Sequence, residues 1–95
     1  MPGSRAVVRL HGEIDASTVE VVTRGLRQEL RPGVAVLELD LTDVQHLSAD
    51  GTAAFFRAVK ASRASGTRLV ITHPAPSVQR ALSQVGLDRL LKYPS

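Results

Sequence analysis

Val34-Ala35-Val36-Leu37-Glu38-Leu39-Asp40-Leu41 is the stretch on which the fold turns. It is nearly continuous apolar sequence interrupted by two acids, and it follows the helix-ending pair Pro32-Gly33. A run of that kind reads as a strand covered on both faces, which belongs in the middle of a sheet. Upstream, Val19, Val22, Leu26 and Leu30 recur at intervals of 3, 4 and 4, one stripe of an amphipathic helix. Ser17-Thr18-Val19-Glu20 ahead of that stripe has the spacing of a capping box, so the helix is expected to start there. Further upstream, Ala6-Val7-Val8-Arg9-Leu10-His11 is short and β-branched and stops at Gly12, the pattern of a first strand entering a turn.

Downstream of the central run, residues 42–51 read as a connection that leads into a second helix reaching about Ala64, with Ser65-Gly66 at its end. Thr67-Arg68-Leu69-Val70-Ile71-Thr72-His73 reads as a third strand. Pro74 and Pro76 open a third helix with Val78, Ala81, Leu82 and Val85 on its inner stripe. Gly86 is placed to cap that helix, Leu87 to make the accompanying apolar contact, and Leu90-Leu91-Lys92-Tyr93 to form a short last strand. The order is βαβαβαβ. Helical patterns between successive strands favour parallel pairing, because antiparallel neighbours need no such long connections. The expectation is a single α/β domain over residues 1–95, with its core at about 6–93, built on a mostly parallel sheet with packed helices.

With 95 residues there is room for one domain, and a chain this short buries only roughly 60–65% of the surface that its unfolded form exposes. The 43% hydrophobic and 22% charged residues place it among globular chains. No stretch approaches the roughly 20 apolar residues that cross a bilayer, and Met1-Pro2-Gly3-Ser4-Arg5 has no signal-like apolar segment, so the expectation is a cytoplasmic protein without membrane insertion. The absence of cysteine removes disulfides, thiolate metal sites and thiol catalysis. The net charge of +3 does not by itself imply nucleic acid: the cations are dispersed, and the three aromatics, Phe55, Phe56 and Tyr93, cannot build a stacking platform.

Ligands and partners of an open α/β sheet gather at the carboxyl ends of its strands. His11-Gly12-Glu13-Ile14-Asp15 and His46-Leu47-Ser48-Ala49-Asp50-Gly51 are the segments expected there. They hold carboxylates, a serine and two histidines, yet no serine-hydrolase elbow occurs. His11, His46 and His73 lack short metal-ligand spacing, and single glycines do not make a phosphate loop. The expectation is no enzyme, no metal and no cofactor. On the second helix, Ala54, Phe55, Ala58, Val59, Ala61 and Ser62 fall on one half of the wheel and Ala53, Phe56, Arg57, Lys60, Arg63 and Ala64 on the other. An aromatic among arginines suits a protein-binding hot spot; the competing reading tucks Phe56 against a loop and leaves the cations as a solvated face.

These segments, in this order, resemble the STAS domains of bacterial anti-sigma factor antagonists. Gly12-Glu13-Ile14-Asp15 is similar to that family's G-E-[LI]-D motif. Residues 36–47 resemble its strand and the turn beyond, and Leu47-Ser48-Ala49-Asp50-Gly51 its D-S-S-G or D-S-A-G helix opening. Residues 66–73 and 78–90 fit the later strand and helix, so the likeness spans roughly residues 6–93.

The resemblance implies a transcription-regulating interaction module that binds an anti-sigma factor of the serine-kinase type. Asp15, Phe56, Arg57, Lys60 and Arg63 would form the contact and Ser48, Ala49, Asp50 and Gly51 the regulatory loop. It leaves open a second copy as partner, a transporter ATPase in place of the anti-sigma factor, and nucleotide sensing at the same strand ends. In the family the serine of that loop accepts phosphate; here Ser48 stands for the aspartate and Ala49 for the acceptor. A methyl group cannot be phosphorylated. Asp50 then has two readings, a helix cap or a fixed charge standing in for phosphate. The expectation is that the extra N-terminal strand and last C-terminal helix of many relatives are lacking, which leaves a sheet edge to be covered by something else.

Overall fold

The computed structural model describes residues 3–92. Three strands and three helices alternate: β1 Ser4–Ile14, α1 Val19–Gln28, β2 Val34–Leu47, α2 Thr52–Ser65, β3 Arg68–Thr72 and α3 Pro76–Gln84, followed by a 3-10 turn, Leu87–Leu90. The sheet order is β1-β2-β3 with both pairings parallel, so β2 is the central strand.

Two strands run further than local sequence signals. β1 does not stop at Gly12, and β2 does not end at Leu41; the stretch from Thr42 to Leu47, expected as part of a connection, is strand. Register explains both. The β1–β2 pairing slips between Ser4 and Arg5, between Arg9 and His11 and between Gly12 and Glu13, each time with one extra residue on β2. Beyond Leu41 the buried residues therefore come at Val44 and Leu47, a spacing of 3 that hides the alternation of a strand. Gly12, at φ 80°, supplies left-handed backbone at one of these irregularities rather than a turn.

The core lies on one face of the sheet only. Leu37, Leu39 and Leu41 of β2 and Leu69 and Ile71 of β3 cluster with Leu26 of α1, Phe55, Ala58 and Val59 of α2, and Val78 and Leu82 of α3. The alternate residues, on the opposite face, are outside this cluster, yet Val34, Asp40, Val70 and Thr72 are buried there as well, so β2 is covered on both sides although the apolar cluster lies on one. On that opposite face Arg5 pairs with Glu38, which also accepts the Thr72 hydroxyl at 2.9 Å, and Arg9 lies 3.5 Å from Asp40 and 3.7 Å from Asp43. The two acids inside the apolar run are thus satisfied by the neighbouring strands. Hydrogen bonds chiefly from Arg5 hold the Glu38 carboxyl below its usual range, and the Thr42 hydroxyl does the same for Asp40. Among the described residues no buried side-chain polar atom lacks a partner.

α2 ends on Gly66 in the left-handed conformation, as its sequence implies, and Pro76 sits in the first turn of α3. Gly86 is left-handed and Leu87 fully buried beyond it, the expected capping contact. Among the described residues the expected last strand shows one bridge, Leu91 beside Ile71, because the chain winds into the 3-10 turn first; Tyr93 lies outside the described residues.

Candidate functional site

The carboxyl ends of β1 and β2 meet at Ile14 and Leu47, which are register partners. The Ser48 N–H donates to the Ile14 carbonyl at 3.0 Å, so the loop of residues 48–51 is tied to the end of β1, beside Asp15. The approach is close enough to require glycine. A Cβ on Gly51 would stand 2.1 Å from the Ile14 oxygen and 2.6 Å from its carbon, both main-chain atoms.

Within the loop, the Ser48 hydroxyl accepts the Gly51 N–H at 3.0 Å and the Ser48 carbonyl accepts the Thr52 N–H at 3.1 Å. The side chain that satisfies an otherwise free donor at the start of α2 is therefore Ser48, not Asp50. Ala49 and Asp50 are both exposed. Thr52, which sequence reasoning did not single out, is buried and donates its hydroxyl to the Ala49 carbonyl at 2.6 Å. Its only sequence signal was a hydroxyl residue at the head of a helical stripe.

Asp15 is occupied in a turn. Its Oδ1 accepts the Ser17 N–H at 2.9 Å and the Ser17 hydroxyl at 2.6 Å, and the Ser17 hydroxyl bond in particular holds the carboxyl below the usual aspartate range. The Asp15 N–H donates to Thr18 Oγ1, which in turn donates to the Glu13 carbonyl at 2.9 Å. The Ser17–Glu20 capping box consequently does not form: α1 begins at Val19 with Thr18 as its N-cap, and no side chain caps it. Asp15, two residues before Ser17, claims both of its donors, and Glu20 turns to Arg57 of α2 at 3.0 Å.

α2 has the rotation that its spacing implies. Phe55 is fully buried and Phe56 is 43% exposed, so Phe56 is not tucked away. Lys60 and Arg63 are exposed and lie within about 40° of Phe56 on the helix wheel. Arg57 points away from that stripe, toward α1. The structure thus joins Asp15 to the loop of residues 48–51 and sets Phe56, Lys60 and Arg63 along one side of the helix that the loop opens.

A hollow of about 560 Å3 lies between β1 and α1, lined by Val7, Val8, Leu10, Val21, Val22 and Gly25 among others. Arg9, His11, Glu13 and Glu29 also line it. Among the described residues no group of three or more His, Cys, Asp or Glu side chains is placed to hold a metal ion. No helix of the described residues is long and apolar enough to cross a membrane.

A parallel sheet with all its helices on one face, and a tight loop-to-helix turn at the carboxyl ends of its strands, defines a STAS-type domain. The chain belongs to the family described as Mlab, STAS domain, whose model matches residues 1–92. The fold is similar to the unphosphorylated anti-sigma factor antagonist SpoIIAA, with a TM-score of 0.81 at 18% identity over 97% of this chain and 81% of that one. The phosphorylated form of SpoIIAA, a Bacillus cell-fate determinant, gives a TM-score of 0.71 at 17% identity, covering 97% of this chain and 84% of that one. The STAS domain of a SulP transporter from Vibrio cholerae gives 0.74 at 19% identity, covering 99% and 76%.

Proposed function

We propose that this chain is a non-catalytic regulatory module that acts by binding another protein through the exposed side of α2. The single observation that carries the reading is Phe56, an aromatic held 43% exposed while its neighbour Phe55 is fully buried. A side chain placed for packing alone would not leave this much of an aromatic ring in water, whereas aromatics and arginines on a rigid helix are what interfaces anchor on. Lys60 and Arg63 extend the contact along the helix. Arg57, with Asp15 and the loop of residues 48–51, forms its rim.

The partner proposed is an anti-sigma factor of the serine-kinase type, which the chain would engage as an anti-sigma factor antagonist in the cytoplasm. Control by phosphate on the loop is lost in this reading. Ala49 has no hydroxyl, and the Ser48 hydroxyl already serves the turn by accepting the Gly51 N–H. A second reading gives the same face a transporter ATPase as its partner; what supports it is no more than that a domain of similar fold belongs to a transporter.

Titration calorimetry against a purified serine-kinase-type anti-sigma factor and a purified transporter ATPase tests both. Phe56→Ala is expected to weaken binding to the true partner by about 2 kcal/mol or more, as an aromatic hot spot does. Its melting temperature should stay near that of the parent. Binding left intact by Phe56→Ala would remove this face from the interface.

A further inference from the structure

The geometry points to a second copy of this chain as the occupant of the free edge of β1, the two β1 strands pairing antiparallel about a two-fold axis at Val8. Among the described residues β1 pairs with β2 alone. The Ser4 N–H donates to the Gly33 carbonyl, on the β2 side, at 2.9 Å. Alternate residues of a strand turn their main-chain groups the same way, so Ala6 and Val8 also face β2, while Arg5, Val7 and Arg9 turn N–H and C=O outward. The far edge of the sheet fixes the same phase. The Ile71 carbonyl bonds outward to the Lys92 N–H, so Val70 faces β2, its register partner Glu38 faces β1, and Val7, the partner of Glu38, faces out. Arg5, Val7 and Arg9 are all exposed. This edge is therefore open.

An open edge is a template for another strand, and this one fits itself. In an antiparallel pair, outward-facing residues must meet outward-facing residues. Gly12, at φ 80°, ends the regular stretch beyond His11, so a two-fold axis at Val8 pairs all of Arg5 to His11, and an axis nearer either end pairs fewer residues. Charge selects the same register. An axis at Val7 would set Arg5 opposite Arg9 of the copy, and an axis at Arg9 would set that residue opposite itself; like charges directly opposed are unfavourable. The axis at Val8 sets Val7 opposite Arg9, and Arg5, already answered by Glu38, opposite His11. On the core face it sets Ala6 opposite Leu10 and Val8 opposite Val8. These three are partly buried hydrophobics packed against the core, so the apolar layer runs on from one copy into the next. They fall at the non-hydrogen-bonded pairs, where side chains stand closest. The hollow of about 560 Å3 between β1 and α1 borders the same edge. Val7, 56% exposed, and Val21 of α1, 71% exposed, line it. A copy joined at β1 brings its own α1 alongside on the same face of the sheet and covers both. The site is separate from Phe56 and stands if the α2 face binds nothing.

Sedimentation equilibrium of the intact chain should show a monomer–dimer equilibrium in the micromolar range that persists in high salt, because the contacts are main-chain and apolar. Val7→Pro removes an outward N–H, which edge strands tolerate, and should weaken the dimer about tenfold or more with the circular dichroism spectrum unchanged. The chain has no cysteine, so a single one reports its own position. Under mild oxidation Val8→Cys should form a disulfide-linked dimer about tenfold faster than Val7→Cys, although Val7 is the more exposed, because Val8 meets Val8 and Val7 meets Arg9. Phe56→Ala should dimerise as the parent does, which separates this edge from the α2 face. The inference is overturned if the parent is monomeric throughout the micromolar range, which would give the edge to a different protein. It is equally overturned if folded Val7→Pro dimerises as the parent does, if Val7→Cys links as fast as Val8→Cys, or if Phe56→Ala abolishes the dimer. Should Val7→Pro fail to fold, the two cysteine variants decide.

Discussion

Gly51→Ala adds one methyl group at the point where the loop crosses the end of β1. Gly51 has helical backbone, φ −64° and ψ −28°, where alanine is ordinarily the better residue by about 1 kcal/mol. Position decides otherwise. The new Cβ would lie 2.1 Å from the Ile14 oxygen and 3.0 Å from the Asp15 nitrogen, and main chain held in a sheet cannot swing aside as a side chain can. The loop must lift away, which stretches the Ser48 N–H bond to the same Ile14 oxygen. Overpacking of this kind costs about 1–3 kcal/mol and a lost hydrogen bond about 0.5–1.5 kcal/mol. Set against the propensity gain, the net effect is a destabilisation of about 2 kcal/mol. For a domain of this size that lowers Tm by roughly 8–16 °C. Gly25→Ala is the internal control. Gly25 is in α1, and a Cβ there meets nothing within 4 Å, so this substitution should stabilise by about 0.4–1 kcal/mol. Thermal and urea unfolding followed by circular dichroism measure both. A Gly51→Ala protein that melts at or above the parent temperature would refute the close-approach reasoning.

Phe55→Ala empties a fully buried site and should cost about 3–5 kcal/mol, enough to leave a substantial unfolded fraction visible by urea titration. Ser48→Ala removes the acceptor for the Gly51 N–H and should lower stability by about 1 kcal/mol, or roughly 4–8 °C in Tm. Acid should act through the polar face of the sheet. Glu38 and Asp40 titrate below their ordinary values of 4.5 and 3.8 when folded, so the unfolded chain takes up protons first as pH falls. Their stabilisation is complete above those ordinary values and is lost as pH drops through the depressed ones. Melts from neutral to acidic pH should show a decline that begins below about pH 5 and is shallower in Asp40→Asn.

The apolar run from Val34 to Leu41 was legible as the central strand because its character is local, and so were the stripe of α2 and the glycine and proline signals at helix ends. Part of the candidate site could be read in the same way: Phe55 and Phe56 differ by about 100° on a helix, so one periodic pattern sends one inward and the other out. Asp15 was less legible. Its segment could be placed at the end of the first strand, but not its competition with Glu20 for Ser17, since Asx turns and capping boxes draw on the same donors. Asp50 was the cap that the sequence suggested for α2, and the backbone path of residues 48–51 gave that role to Ser48 instead.

The order of elements up to the third helix, their parallel pairing and the inward stripes of the helices were therefore determined by the sequence alone, because each depends on residues a few positions apart, whereas the last strand it implied gave way to a 3-10 turn. Tertiary structure decided what depends on distant partners. Three register slips against β1 carry β2 on from Leu41 to Leu47 and keep Val44 and Leu47 buried. Glu38 and Asp40, which interrupt an apolar strand, became one side of a network with Arg5 and Arg9 only when β1 was laid beside it. Arg63, Arg68, Arg89 and Lys92 came together around one groove by the packing of α2, β3 and the chain's last described turn. No periodicity encodes that convergence, because it arises where separate elements end beside one another.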